Sequence, residues 1–551
     1  MNIRAALVAG VNALLVLACT ATENPDIQVN AARAYPQNTA PQALPCTVDV
    51  GPSAGTIDRR LFGTNLEWFN EAGGLAAQDP ALRARLLTLT REQGVSVLRF
   101  PGGTLADYYH WRDGTGPVAS RPERRHPTDS GHSANRFGSP ELFKMMQETG
   151  SEALITVNAG TGTADEAAAW VAYANRPGDS ARAADGYPRP IGIHLWEIGN
   201  ELYLPGNPGE LKITVSPEVY AQRYLAFSRA MKAVDPSIRT LALAVTASHT
   251  GPDTPYPDWT RVVLQAAARE IDLVAVHNAY FPMLYREHQP PVDAVYPALW
   301  AAPEAVDRSL TALEQLLIQY EGPHPIGIAV TEWGALFSLP NVDNQWVDHV
   351  KTMGSGVYVA RMLQVMMSHP RVELANYFKL TDRSFMGWID LQGEPKVPYW
   401  VFALYARHSG SERLHASLPS PHYDAAPIGT VMAEHDVPEV TVLASRDPLS
   451  RRIFVNLVNR SLSTRYPVQL RLDHARLPAQ GQLFSISAAE PTAHNGRDIP
   501  PEWPYRPEYE PYSSAAPHSL QIKEEAWDPR QPILLAPFSV ATLVLTPAPL
   551  P

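Results

Sequence analysis

Eight short apolar runs alternate with amphipathic stretches between residues 61 and 408, and this alternation leaves few folds open. The strand-like runs are 61–68, 95–103, 152–160, 194–202, 240–247, 273–281, 326–334 and 374–381. Helical periodicity fills the gaps at 79–94, 139–150, 163–175, 216–235, 258–271, 302–320, 345–368 and 399–408. Local chemistry agrees with these boundaries. Ser216-Pro217-Glu218 and Ser139-Pro140-Glu141 read as an N-cap followed by proline in the first turn, and Gly94 and Gly150 stand where helices should stop. Eight strand–helix units in about 350 residues predict an α/β chain closed as a (β/α)8 TIM barrel over 61–410, with a doubly wound open sheet as the rival.

The pattern changes after residue 410. Strand-like runs at 440–445, 452–459, 467–472, 482–486 and 533–545 are separated by Pro, Asn, Asp and Ser without an intervening helix, which predicts a C-terminal antiparallel β-sandwich over 411–551. Residues 47–60 read as a strand pairing with that sandwich, and the Pro- and Tyr-rich stretch 495–517 as a long loop. At the other end, Arg4 precedes an apolar stretch from Ala5 to Ala18 that reads as an export signal over 1–19, too short to span a membrane. Cys19 follows Val16-Leu17-Ala18, so either lipidation or plain cleavage fits, and residues 20–46 read as a flexible tether. The expected location is therefore exported: periplasmic, extracellular, or on the outer surface through a lipidated Cys19. Cys46 is the other cysteine, so no disulfide framework is expected. A net charge of -11 with no long basic run argues against nucleic acid as a partner.

In such a barrel the functional side chains project from the C-terminal ends of the strands. Polar residues accumulate there: Arg99 with Gly102-Gly103 in the second run, Asn158 in the third, Asn200-Glu201 in the fourth, His277 and Tyr280 in the sixth, Glu332-Trp333 in the seventh. Glu201 and Glu332 are the expected catalytic pair. Cleaving a glycosidic bond takes one protonated carboxyl at the leaving oxygen and one carboxylate at the anomeric carbon, and strands four and seven face each other across a barrel mouth. Asn200 would hydrogen-bond the neighbouring sugar hydroxyl. Glu197 reads as an interior partner for a cation such as Arg99, and an arginine beside Glu332 would favour its ionised form. Trp68, Trp333 and Trp388 suit either sugar stacking or plain packing. His110, His126 and His132 lack metal-ligand spacing, so no metal site is expected.

Several segments resemble the clan A glycoside hydrolases, and most closely family 51, which contains α-L-arabinofuranosidases. They are Glu67 in Leu61-Phe62-Gly63-Thr64-Asn65-Leu66-Glu67, Leu98-Arg99-Phe100-Pro101-Gly102-Gly103, Trp111-Arg112-Asp113-Gly114-Thr115-Gly116-Pro117, Asn158 to Thr163, Trp196-Glu197-Ile198-Gly199-Asn200-Glu201 and Glu332-Trp333-Gly334. The resemblance implies that Glu201 is the acid/base and Glu332 the nucleophile. It implies that Tyr280 or His277 supports the nucleophile, that Arg99 holds its carboxylate, and that Glu67 and Asn158 bind substrate hydroxyls. No cofactor is implied, and a homo-oligomer is. Departures from the family pattern are Thr104 after Pro-Gly-Gly, His277-Asn278-Ala279-Tyr280 after strand six, Thr331 before the nucleophile, and Asn65-Leu66-Glu67-Trp68 in the first strand. These fall around the pocket for the terminal sugar, and families 39, 79 and 30 remain neighbouring relatives.

The expected activity is thus a retaining, exo-acting α-L-arabinofuranosidase that releases arabinose from plant-type polysaccharide or oligosaccharide by double displacement. The alternatives are an endo-glucanase or β-xylosidase on the same scaffold, and a non-catalytic carbohydrate-binding lipoprotein.

Overall fold

The computed structural model describes residues 42–548 apart from 69, 77–78, 126–131, 206–212, 247–255, 278–282, 285–291, 323, 338–347, 382–386, 391–392, 429–430 and 496–519. The expected signal and most of the tether, Tyr280, and nearly all of the 495–517 loop lie outside the described residues.

Eight parallel strands close into a barrel in chain order: Gly63–Asn65, Val97–Phe100, Glu152–Val157, Leu195–Ile198, Arg239–Leu243, Leu273–Val276, Gly327–Trp333 and Val372–Tyr377. The eighth strand pairs with the first through Asn376 and Tyr377 opposite Gly63 and Thr64. Each observed strand starts close to the expected run and stops earlier. The seventh runs its full length buried, as a strand covered on both faces must be. Asn158, Asn200, Glu201 and His277 lie just beyond these early stops, while Arg99 and Glu332 project from the strands themselves.

Helices follow the strands, and most of their ends obey the sequence signals; the exception is Ser139, expected as a cap, which is the first residue of Ser139–Thr149, while Gly138 takes the cap position and donates its amide to Glu141 Oε2 at 2.9 Å. Asp79 caps Pro80–Gln93 by accepting from the Ala81 and Leu82 amides, and Gly94 closes it in left-handed backbone at φ 81°. Ser216 caps Pro217–Val234 through the Val219 amide. Two helices differ from expectation. Where 345–368 was expected as one helix, Asp348–Lys351 is a 3-10 turn and the α-helix Met353–Ser368 begins behind its cap Thr352. Val292–Tyr320 begins ten residues before the expected start, because Pro297 and Pro303 lie inside it rather than ending it. The apolar side chains of Val295, Leu299, Val306, Leu310 and Leu317 are buried along this helix, and that burial outweighs the backbone bonds the two prolines forgo.

Nine further strands form a sheet in the order Lys523–Trp527, Gly481–Ile486, Ser539–Leu545, Ile453–Asn459, Val440–Arg446, Glu412–Ser417, Leu44–Thr56, Tyr466–Asp473, Ile533–Leu535, and the others described pair as short two-stranded ribbons. All neighbours are antiparallel except Leu44–Thr56 with Tyr466–Asp473. Alternation assigns the faces. Ile453, Val455 and Leu457 enter the sandwich core, while Phe454 and Val458 join the barrel's apolar core. The sandwich is therefore packed directly on the barrel. Gln364, on the helix Met353–Ser368, donates to the Asn456 carbonyl and accepts from Thr441 across that junction. Arg460, fully buried, donates to Glu304 and to the carbonyls of Trp300 and Pro438. Among the described residues, no helix is long and apolar enough to cross a membrane.

Candidate active site

Arg99 is the centre from which the site is built. It points inward from the second strand, is fully buried, and spreads its guanidinium over four side chains. Nε donates to Glu197 Oε2 at 2.6 Å, Nη1 to Asn65 Oδ1 and Glu332 Oε1 at 2.8 Å each, and Nη2 to Asn200 Oδ1 at 2.7 Å. Strands one, two, four and seven are thereby tied at one level. Burial alone would lower the Arg99 pKa, but Glu197 and Glu332 outweigh it and the net shift is upward. Glu197 is the interior partner expected of it. Its remaining acceptor sites take Thr156 Oγ1 at 2.7 Å and Thr331 Oγ1 at 2.8 Å, so this buried carboxylate is fully employed in structure. Thr331, one of the departures from the family pattern, therefore serves to secure Glu197.

Glu201 and Glu332 come from opposite sides of the mouth and both are buried. One carboxylate oxygen of each and a ring nitrogen of His277 all lie within 4.8 Å of one another. Three such atoms could hold a cation, yet the positive charge opposite Glu332 is already supplied by Arg99. Glu332 is pushed above the ordinary carboxylate pKa first by burial, against which His277 and Arg99 pull down and Glu201 pushes up. His277 Nδ1 lies 2.9 Å from Glu201 Oε1 and 3.8 Å from Glu332 Oε2. Burial would lower the imidazole pKa, but the two carboxylates raise it on balance. The resemblance placed Tyr280 or His277 on the nucleophile, and Tyr280 lies outside the described residues. The hydrogen bond of His277 goes to Glu201, with Glu332 its more distant charged neighbour.

The chain reverses sharply to present Glu201. Gly199 adopts φ 79°, where an added Cβ would meet Leu202 at 2.9 Å and Ala159 at 3.1 Å, and Glu201 itself sits at φ 48°. Left-handed backbone is costly for a glutamate and persists only where its surroundings hold it. Beside it Asn200 is buried. Its Oδ1 accepts from Arg99, and Nδ2 has no hydrogen-bond partner among the described residues.

The other expected site residues divide. Glu67, at the end of strand one, forms an ion pair with Lys379 at the end of strand eight. Asn158 spends its amide on its own loop, accepting from the Thr161 and Gly162 amides and donating to Thr161 Oγ1 and the Tyr109 carbonyl. Trp333 is completely buried and meets Tyr377 edge-on, with ring centroids 5.1 Å apart, while Trp388 stacks on the same tyrosine. Both tryptophans are buried against Tyr377. Asp107, Thr156, Tyr203 and Lys379 were not singled out by the sequence, and Asn65 was noted there without a role. Thr156 and Asn65 could have been found as inward-facing polar positions inside apolar strands. Tyr203, buried with its ring 6.3 Å from that of His277, carried no such signal.

Residues 90–276 match the family model described as the alpha-L-arabinofuranosidase 1 domain. The chain is 26% identical over 480 residues to the intracellular exo-alpha-(1->5)-L-arabinofuranosidase of Streptomyces lividans, a match covering 82% of this chain and 69% of that one. It is 25% identical over 490 residues to the enzyme of the same name from Bifidobacterium longum, covering 82% and 83%. The fold is shared with the arabinose complex of the Thermotoga maritima alpha-L-arabinofuranosidase, with a TM-score of 0.76 at 23% identity over 91% of this chain and all of the other. Both relatives in sequence are named intracellular, which overturns the expectation of an exported protein. An apolar stretch after a lone arginine is weak ground against such relatives. Taken with the two facing glutamates, these likenesses identify the chain as a glycoside hydrolase similar to the family 51 α-L-arabinofuranosidases.

Proposed function

We propose that the protein is a retaining, exo-acting α-L-arabinofuranosidase working by double displacement, with Glu332 as nucleophile and Glu201 as acid/base. One observation carries this reading: oxygens of the two carboxylates lie within 4.8 Å of one another. Retaining glycosidases hold their carboxyl groups about 5–5.5 Å apart, whereas inverting enzymes need about 6.5–9.5 Å to admit a water. Glu332 attacks the anomeric carbon while Glu201 gives its proton to the departing oxygen. Water, deprotonated by Glu201, then releases the sugar from Glu332 with its original configuration.

The surrounding groups support this division. Arginine can only donate, so the bond from Arg99 favours the ionised, nucleophilic form of Glu332. The Nδ2 of Asn200, without a partner among the described residues, suits the hydroxyl next to the reacting carbon, where a hydrogen bond that strengthens in the transition state accelerates glycosyl transfer. Glu67, paired with Lys379, stands at the mouth as an acceptor for a sugar hydroxyl. The arabinofuranosyl preference rests on the names of the relatives, which specify α-(1→5) linkages.

The test is chemical rescue. Glu332→Ala should lose turnover of an aryl α-L-arabinofuranoside and regain it with azide, giving a glycosyl azide of inverted configuration. A rescued product of retained configuration would instead assign the azide to the acid/base side and refute the pairing.

A further inference from the structure

We propose that Asp107 is a positioning residue for Glu201, holding through its carboxylate the strained turn that carries the acid/base; the inference rests on the role proposed above for Glu201. Asp107 lies in the 3-10 turn Thr104–Tyr108 that follows the second barrel strand, and it is buried. Its Oδ2 accepts the backbone N–H of Asn200 at 3.0 Å, across from one strand's loop to another's. That N–H belongs to the peptide between Gly199 and Asn200, within the left-handed reversal at φ 79° and 48° that flanks it.

Asp107 is itself fixed from a third loop. Its backbone carbonyl accepts from the Thr161 amide at 3.1 Å and from Thr161 Oγ1 at 3.0 Å. Its Cβ lies so close beneath Gly160 that a Cβ there would approach to 2.7 Å. The carboxylate is therefore a rigid post rather than a loose surface acid. A residue held in left-handed backbone needs such a restraint, since relaxing it would turn the side chain away from its target. Asp107 does not reach the reacting atoms. It acts by keeping the Glu201 carboxyl where the leaving oxygen arrives, and a displacement of about 1 Å there costs about 10²-fold in rate.

Two variants separate this from a merely structural role. Asp107→Leu keeps the shape and removes the acceptor, while Asp107→Asn retains a carbonyl oxygen for the Asn200 amide. On an arabinoside with a poor leaving group, Asp107→Leu should lose about 10²-fold in kcat/KM; on a dinitrophenyl arabinoside, which needs little protonation, the loss should stay below about 10-fold. Asp107→Asn should restore most of the activity on the poor leaving group. Thermal unfolding monitors integrity, and Asp107→Ala replaces the leucine variant if that one does not fold. Equal losses on both substrates, or an asparagine variant no better than leucine, would overturn the inference. Glu201→Ala is run alongside: if it shows no leaving-group selectivity, the acid/base reading itself fails, and the positioning role falls with it.

Discussion

Replacing Arg99 by lysine isolates what the guanidinium does for the nucleophile. The positive charge stays, but the geometry does not. Arginine reaches four side chains along its planar fork, whereas an ammonium has three donors radiating from one atom and cannot span both Glu197 and Glu332. The short 2.6 Å bond to Glu197 lies deeper in the barrel, so the bond surrendered is the 2.8 Å contact to Glu332 Oε1. A hydrogen bond to a charged group contributes about 1.5–3 kcal/mol. At 1.36 kcal/mol per pKa unit, losing it from the ionised form raises the Glu332 pKa by about 1–2 units. The sign follows from the existing balance: burial already lifts Glu332, and Arg99 is one of the groups opposing that lift. Because the attacking form is the carboxylate, activity is lost as pH falls through this pKa. The acid limb of the kcat/KM profile should therefore move to higher pH by about 1–2 units, with the plateau lowered much less. The assay is a pH series on an aryl arabinoside with a good leaving group, so that proton donation by Glu201 does not limit the first step. An acid limb at its wild-type position under a uniformly lowered plateau would refute the argument, leaving Arg99 as scaffold alone.

Glu201→Ala should cost about 10²–10⁴-fold on natural linkages and much less on activated aryl glycosides; equal losses would remove its acid role. Asn200→Ala should lower kcat more than it raises KM, and the variant should be no slower on a 2-deoxy substrate than the wild type is, since both lack the same hydrogen bond. His369, between Asp307 and Glu314, is pushed up to about 9 because those hydrogen bonds outweigh the effect of burial. A raised imidazole stabilises fully below its unfolded value of about 6.5 and loses that contribution as pH rises through about 9. His369→Gln should therefore destabilise by about 2 kcal/mol in mild acid, allowing for the half-exposed Asp307, and converge on the wild type above that range; a destabilisation independent of pH would contradict this.

The barrel was legible because each of its strands is a compact apolar run with a helix behind it, and the polar tips marked the mouth. What was not legible depended on where hydrogen bonding stops. The run 194–202 reads as extended throughout, but the ladder ends at Ile198 because Gly199 turns the chain over. The run 533–545 reads as one strand and is two, Ile533–Leu535 and Ser539–Leu545, divided at Pro537 and at Phe538, whose φ is 38°. Glu412–Ser417, inside the sheet, and Lys523–Trp527, on its edge, were missed because their polar and charged sequences lack the apolar alternation that reveals a strand. In the site, the two glutamates and Arg99 stood out by residue type and place. Asp107 did not, since its contacts run through backbone groups that no sequence pattern displays.

The partners of the two glutamates explain how similar side chains can take different parts. Arginine is a donor in every state, so Glu332, facing Arg99, is held as an acceptor throughout and gains nothing from a proton. Histidine donates or accepts according to its tautomer and charge, so the 2.9 Å contact between His277 and Glu201 survives whether the carboxyl carries a proton or not. An acid/base must pass through both states in each turnover, and a nucleophile must attack from one. The neighbour each carboxylate has thus supports the roles proposed for the two glutamates. Exchanging those neighbours, with an arginine brought onto Glu201, should stall proton donation while leaving the attack by Glu332 intact.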